Sequence, residues 1–122
     1  MSRKVTMLLR IILALVLLIF GANKFGHFLP DPRYTGEAAE FLGALGKAGY
    51  FPILGILEIL AGVLLLTNKW VGIALVISAS LAVNFLIFHF KYDLAGTVPA
   101  ALVTVLTIAL IYGNWGRFRS LL

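Results

Sequence analysis

The chain has 122 residues, of which 61% are hydrophobic and only 12% charged, about half the charged share of an ordinary soluble domain. A soluble fold this short cannot hide so much apolar surface; with a mean hydropathy of +1.04, the composition reads as a single integral-membrane domain of the all-α class. The absence of cysteine excludes disulfides, thiolate metal centres and any thiol relay within this chain, and the net charge of +5 does not point to nucleic acid, because the basic residues sit at the ends of apolar runs where they bear on orientation and anionic lipid.

Residues 1–10 are short and basic, with Arg3, Lys4 and Arg10. The apolar run from about Val5 to Phe28 has the opening of a secretory leader, but no small-x-small cleavage site follows. It is read as a first membrane helix over 5–28, with Arg10 snorkelling back to the inner interface and Pro30 and Pro32 ending the helix. Residues 29–48 are the long polar stretch. There Ala38, Phe41, Leu42 and Leu45 fall at i, i+3, i+4 and i+7, Thr35 stands at an N-cap position, Glu37 suits the first turn, and Gly46 and Gly49 suit the end. The spacing predicts an amphipathic helix over 36–46, lying along the membrane surface.

A second membrane helix is expected over 50–67, a tight turn at Asn68-Lys69, a third helix over 70–91, a short loop from Tyr92 to Thr97, and a fourth helix over 98–115 with Pro99 in its first turn. The expected architecture is therefore a four-transmembrane-helix antiparallel bundle in one domain, 1–122, with the interfacial helix between the first two spans. The N-terminus, the 68–69 turn and the tail carry Arg3, Lys4, Lys69, Arg117 and Arg119 and no acid. The other side carries Arg33, Lys47 and Lys91 with Asp31, Glu37, Glu40 and Asp93. The positive-inside rule then places both termini in the cytoplasm. Trp70, Tyr112 and Trp115 suit an inner aromatic belt; Tyr34, Tyr50 and Tyr92 suit an outer one.

Glu58 poses the chemical question. It is the one charge in an apolar run, and an acidic residue at mid-membrane costs roughly 2.5 to 3.5 kcal/mol on insertion scales. It must be neutralised, paired or turned to a wet cavity. Helical rise puts polar side chains of all four helices in one slab: Lys24 and Asn23 roughly 6 and 8 Å below the outer end of their helix, Asn84 and Thr104 roughly 9 Å, Glu58 roughly 12 Å and Thr107 roughly 14 Å. Gly55, Glu58, Ala61 and Gly62 share a face of small residues that suits the bundle interior. Gly72, Ser80 and Asn84 lie on one i+4 row, and Thr97, Ala100, Ala101, Thr104 and Thr107 form a small-polar stripe. Glu58 is therefore expected to meet Lys24 or Asn84, or both. His27 and His89 lie near outer helix ends without a carboxylate to complete a metal set, so no metal is expected.

The stretches Phe20-Gly-Ala-Asn-Lys-Phe-Gly-His-Phe28, Gly49-Tyr-Phe-Pro-Ile-Leu-Gly-Ile-Leu-Glu-Ile-Leu-Ala-Gly62 and Val83-Asn-Phe-Leu-Ile-Phe-His89 resemble the DoxX family of small bacterial membrane proteins. The resemblance implies a four-helix bundle in the bacterial inner membrane. It also implies company with redox enzymes: relatives include a quinone-reducing thiosulfate oxidoreductase subunit and a membrane component proposed to assemble with superoxide dismutase and a sulfurtransferase. The positions that match the family's polar motifs are Asn23, Lys24, His27, Glu58, Asn84 and His89. Two functions remain open on these residues. One is the membrane subunit of an oxidoreductase system with a pocket for quinone or a similar ligand, formed by Asn23, Lys24, His27, Glu58, Asn84, His89 and Thr104, with Glu58 exchanging protons. The other is a non-enzymatic scaffold, or a carrier of a small solute or lipid, possibilities in which the same cluster serves packing or a permeation path. Oxidoreductase partner proteins and a homo-oligomer are the associations expected.

Overall fold

The computed structural model describes residues 2–29, 34–92 and 97–121. The expectations for Pro30, Asp31, Pro32, Arg33 and Asp93, and for most of the 92–97 loop, lie outside the described residues. Among those described, the secondary structure is entirely helical: α1 (Arg3–Gly26), α2 (Gly36–Lys47), α3 (Tyr50–Leu66), α4 (Val71–Tyr92), α5 (Thr97–Gly113) and α6 (Trp115–Arg119). α1 and α4 are long and apolar enough to cross a membrane. At 24 and 22 residues they run about 36 and 33 Å, enough for a hydrocarbon core of about 30 Å. α3 and α5 are apolar and have 17 residues each, about 26 Å.

Each helix ends for a local reason. Ser2 caps α1 by accepting a hydrogen bond from Val5 N at 3.1 Å, so the helix starts two residues before the apolar run does. At its other end α1 stops at Gly26, ahead of the prolines, because His27 takes a left-handed conformation (φ 50°) and returns its N–H to Asn23 O at 2.8 Å. Thr35 holds the N-cap position of α2 by backbone conformation alone; its hydroxyl makes no capping bond. Gly49 (φ 79°) is the left-handed corner between α2 and α3, which meet at 78°. The turn after α3 needs two further left-handed residues, Asn68 and Trp70, so α4 starts at Val71 rather than at Trp70.

α1 packs on α3, α3 on α4, α4 on α5, and α5 back on α1. The pairs run antiparallel. Arg10 of α1 meets the last residues of α3, Leu18 lies beside Gly62, and Gly21 lies beside Gly55. Likewise Ser78 of α4 meets Thr107 of α5, and Gly72 lies under Arg117. The buried core is small-and-branched: Leu13, Ala14, Leu17, Ala61, Leu65, Ala74, Leu75 and Leu110 have no exposed surface. Between membrane helices such packing supplies dispersion energy, since lipid tails are as apolar as leucine. The tail differs from expectation. α5 ends at Gly113 and, after Asn114, the short α6 folds back over the start of α4, where Arg117 donates to Asn68 Oδ1 at 2.6 Å.

Candidate functional site

The site is built on a close approach of α1 and α3. Gly55, Glu58, Ala61, Gly62 and Leu65 are the buried face of α3, as the small-residue pattern required. A Cβ at Gly21 would lie 3.0 Å from both Glu58 Cβ and Gly55 O, and one at Gly55 would lie 3.2 Å from Gly21 O and Lys24 Cβ. With no side chain on either glycine the backbones come together, and Lys24, one turn beyond Gly21, is brought over Glu58. The Lys24 ammonium forms an ion pair with Glu58 Oε1.

Glu58 is fully buried, whereas the Lys24 side chain keeps 21% of its surface exposed. The ammonium also lies 5.8 Å from the Phe85 ring centroid, within cation–π range, so α4 contributes the third wall. Oε2 of Glu58 has no hydrogen-bond partner among the described residues. A carboxylate placed in this way is stabilised by one charge on one side, and its second oxygen is held among apolar groups, which is costly.

The other expected members are not drawn onto Glu58. Asn23 accepts a hydrogen bond from Leu29 N at 2.8 Å through Oδ1, closing the end of α1. His27 is the exposed left-handed residue of that cap. Asn84 donates to Ser80 O at 2.8 Å within its own helix and faces outward, lining a groove with Leu54 and Leu57. Thr104 likewise donates to Ala100 O at 2.8 Å in its own helix. His89 stands edge-on to Phe88 at 5.2 Å, in an aromatic group where Phe88 and Tyr92 stack with Phe41 of α2 at 5.9 Å. Of the seven candidates the structure thus unites Lys24 and Glu58. Among the described residues no three of the His, Asp and Glu side chains gather in one place.

Two polar contacts were not anticipated. Ser78 and Thr107, both buried, share a hydrogen bond of 2.7 Å between α4 and α5; the Thr107 proton goes to Val103 O, so Ser78 donates to Thr107 Oγ1. Ser78 was legible in principle, since it falls at i+4 from Ala74 and i+3 from Leu75 on the buried face. At the opposite end, Arg10 does not simply snorkel. Its guanidinium donates to Leu65 O and, at 3.3 Å, to Leu66 O, two of the terminal carbonyls of α3.

What the fold and site define is a class: an all-helical chain with membrane-length apolar helices and a buried ion pair between the first and third helices. Comparison with family models, curated proteins and solved structures returned no significant match.

Proposed function

We propose that this chain is a multi-pass membrane protein in which α1, α3, α4 and α5 all cross the bilayer and α2 lies along the outer surface, and that it works as a non-catalytic membrane subunit with Lys24–Glu58 as an internal pin. The observation that carries this reading is the separation of the polar residues: Glu58 is buried and paired with Lys24, whereas Asn23 and Thr104 hydrogen-bond within their own helix or cap and Asn84 faces outward, away from Glu58. A pocket that recognises ligand oxygens needs such groups convergent and uncommitted. The topology is supported by contacts that gather Arg10, Asn68 and Arg117 at one end, the end that carries the basic termini and is assigned to the cytoplasm of a bacterial inner membrane.

The second reading is the oxidoreductase subunit that the DoxX resemblance implies, and one observation favours it. Oε2 of Glu58 is unanswered, and Lys24 joins that carboxylate to a partly exposed position. In that case the pair is a place where a quinone oxygen or a proton is received, with redox partner proteins alongside.

One titration separates the two. Decylubiquinone is added to the protein in lipid nanodiscs and the unfolding temperature is followed. The pin reading expects no shift that depends on Glu58. A stabilisation in the native chain that vanishes in Glu58→Gln overturns it in favour of the ligand reading.

A further inference from the structure

α4 is long and apolar enough to cross a membrane, and its outward face is apolar at Val76, Val83, Ile87 and Phe90, which are 42 to 62% exposed. Two exposed polar side chains interrupt that face, Ser80 and Asn84. The Ser80 hydroxyl is satisfied by Val76 O at 3.0 Å. Asn84 is only partly satisfied. A carboxamide carries two N–H donors and a carbonyl acceptor, and the bond to Ser80 O uses one donor. The remaining donor and Oδ1 make no hydrogen bond among the described residues. Asn84 lies eight residues before Tyr92, about 12 Å inside the helix end, where lipid tails offer neither donor nor acceptor.

We propose that this face of α4 is the interface between two copies of the chain, paired about a two-fold axis at Asn84. A carboxamide is its own complement: each Oδ1 accepts from the other's free Nδ2–H, so a symmetric pair satisfies both sides with one residue. A lipid tail fills the space and leaves the amide unanswered. The shape agrees. Beside Asn84 runs a groove of about 250 Å³ between α3 and α4, lined by Leu54, Leu57, Ile77 and Leu81, while Val83 and Ile87 protrude. An isologous interface requires recess and ridge on the same patch. No Asp, Glu, Lys or Arg lies between Val71 and Phe90 to hold two copies apart. The proposal rests on α4 spanning the membrane and not on the role of Glu58.

The native chain has no cysteine, so single cysteines report contacts directly. Val83→Cys and, as the control on α5, Val105→Cys, which is 63% exposed, are placed in liposomes at high lipid dilution and oxidised with copper phenanthroline. Val83→Cys is expected to form disulfide-linked dimer about tenfold faster than Val105→Cys. Adding Asn84→Leu to Val83→Cys should slow it about tenfold, the effect of losing two interhelical amide bonds. Asn84→Gln should restore part of the rate, and circular dichroism should show both variants equally helical. Equal rates at positions 83 and 105, or a rate indifferent to Asn84→Leu, overturn the proposal. So does a monomer whose co-purifying lipid is lost in Asn84→Leu, which identifies a lipid as the occupant.

Discussion

Lys24 and Glu58 form an ion pair across the α1–α3 interface at the level where Gly21 and Gly55 let the two backbones touch. The pair and the glycines are one device: a side chain on either glycine pushes the helices apart and pulls the ammonium off the carboxylate. The two ends of the pair are unequal, since Glu58 is sealed and Lys24 is one-fifth exposed.

That inequality sets the first prediction. Lys24→Met strands a buried carboxylate and should cost about 3 to 5 kcal/mol. Glu58→Met should cost less, because the flexible lysine can carry its charge to the outer interface. Lys24→Met/Glu58→Met should lie within about 1 kcal/mol of the native chain, since no charge is left unpaired. Reversible unfolding in mixed micelles measures all three; a double variant as unstable as the sum of the singles means the two residues are not coupled.

Glycine contacts make a second prediction with a built-in control. A Cβ at Gly62 would sit 2.6 Å from Leu18 Cγ and 3.0 Å from Ala14 O, and one at Gly72 would sit 2.6 Å from Arg117 O. Alanine at either position should destabilise by about 1 to 3 kcal/mol. Gly43 in α2 has nothing within 4 Å of such a Cβ, and alanine there should stabilise by up to about 1 kcal/mol through helix propensity. Opposite signs at positions 62 and 43 are the expected result in thermal unfolding.

Arg10 ties the start of α1 to the end of α3. Arg10→Met leaves terminal carbonyls of α3 without their charged donor and should cost about 1.5 to 3 kcal/mol. Arg10→Lys should recover only part of that, because the ammonium is a more strongly hydrated charge on a shorter stem than the guanidinium it replaces. Urea unfolding of the three proteins ranks them; equal stability of the methionine variant and the native chain removes the capping role.

The Ser78–Thr107 bond is a clean case for a double-mutant cycle. Thr107 keeps its bond to Val103 O when Ser78 becomes alanine, so the loss should be confined to the interhelical bond. The coupling energy between Ser78→Ala and Thr107→Val is expected at about 0.6 to 1.7 kcal/mol, the range for such bonds between membrane helices. A coupling of zero means the two hydroxyls only fill space.

The split between what was legible and what was not follows element lengths and angles. The inward face of α3 was readable because Gly55, Glu58, Ala61 and Gly62 span only two turns, over which helical phase hardly drifts. The Gly72, Ser80, Asn84 row misled for the converse reason. Each i+4 step advances about 40° beyond a full turn, so three steps carry a residue about 120° around the helix. Gly72 is buried and Asn84 is exposed accordingly. α6 escaped notice because the five residues Trp115–Arg119, with arginine at two of the last three positions, show no apolar period; tertiary contacts hold them, with the Arg117 backbone docked on Gly72, the Arg117 side chain on Asn68 and Phe118 against the core.

Composition and pattern alone determined that the chain is helical and apolar enough for a membrane, that a tight turn falls at Asn68-Lys69, and that Glu58 needs an answering group. These are local properties, set by the transfer energy of each residue and by backbone preferences a few residues long. Which group answers Glu58 was decided by tertiary structure, because it depends on the rotation of each helix about its axis and on how near the glycines let the backbones come. Those quantities chose Lys24, turned Asn84 outward and left Asn23 to close its own helix.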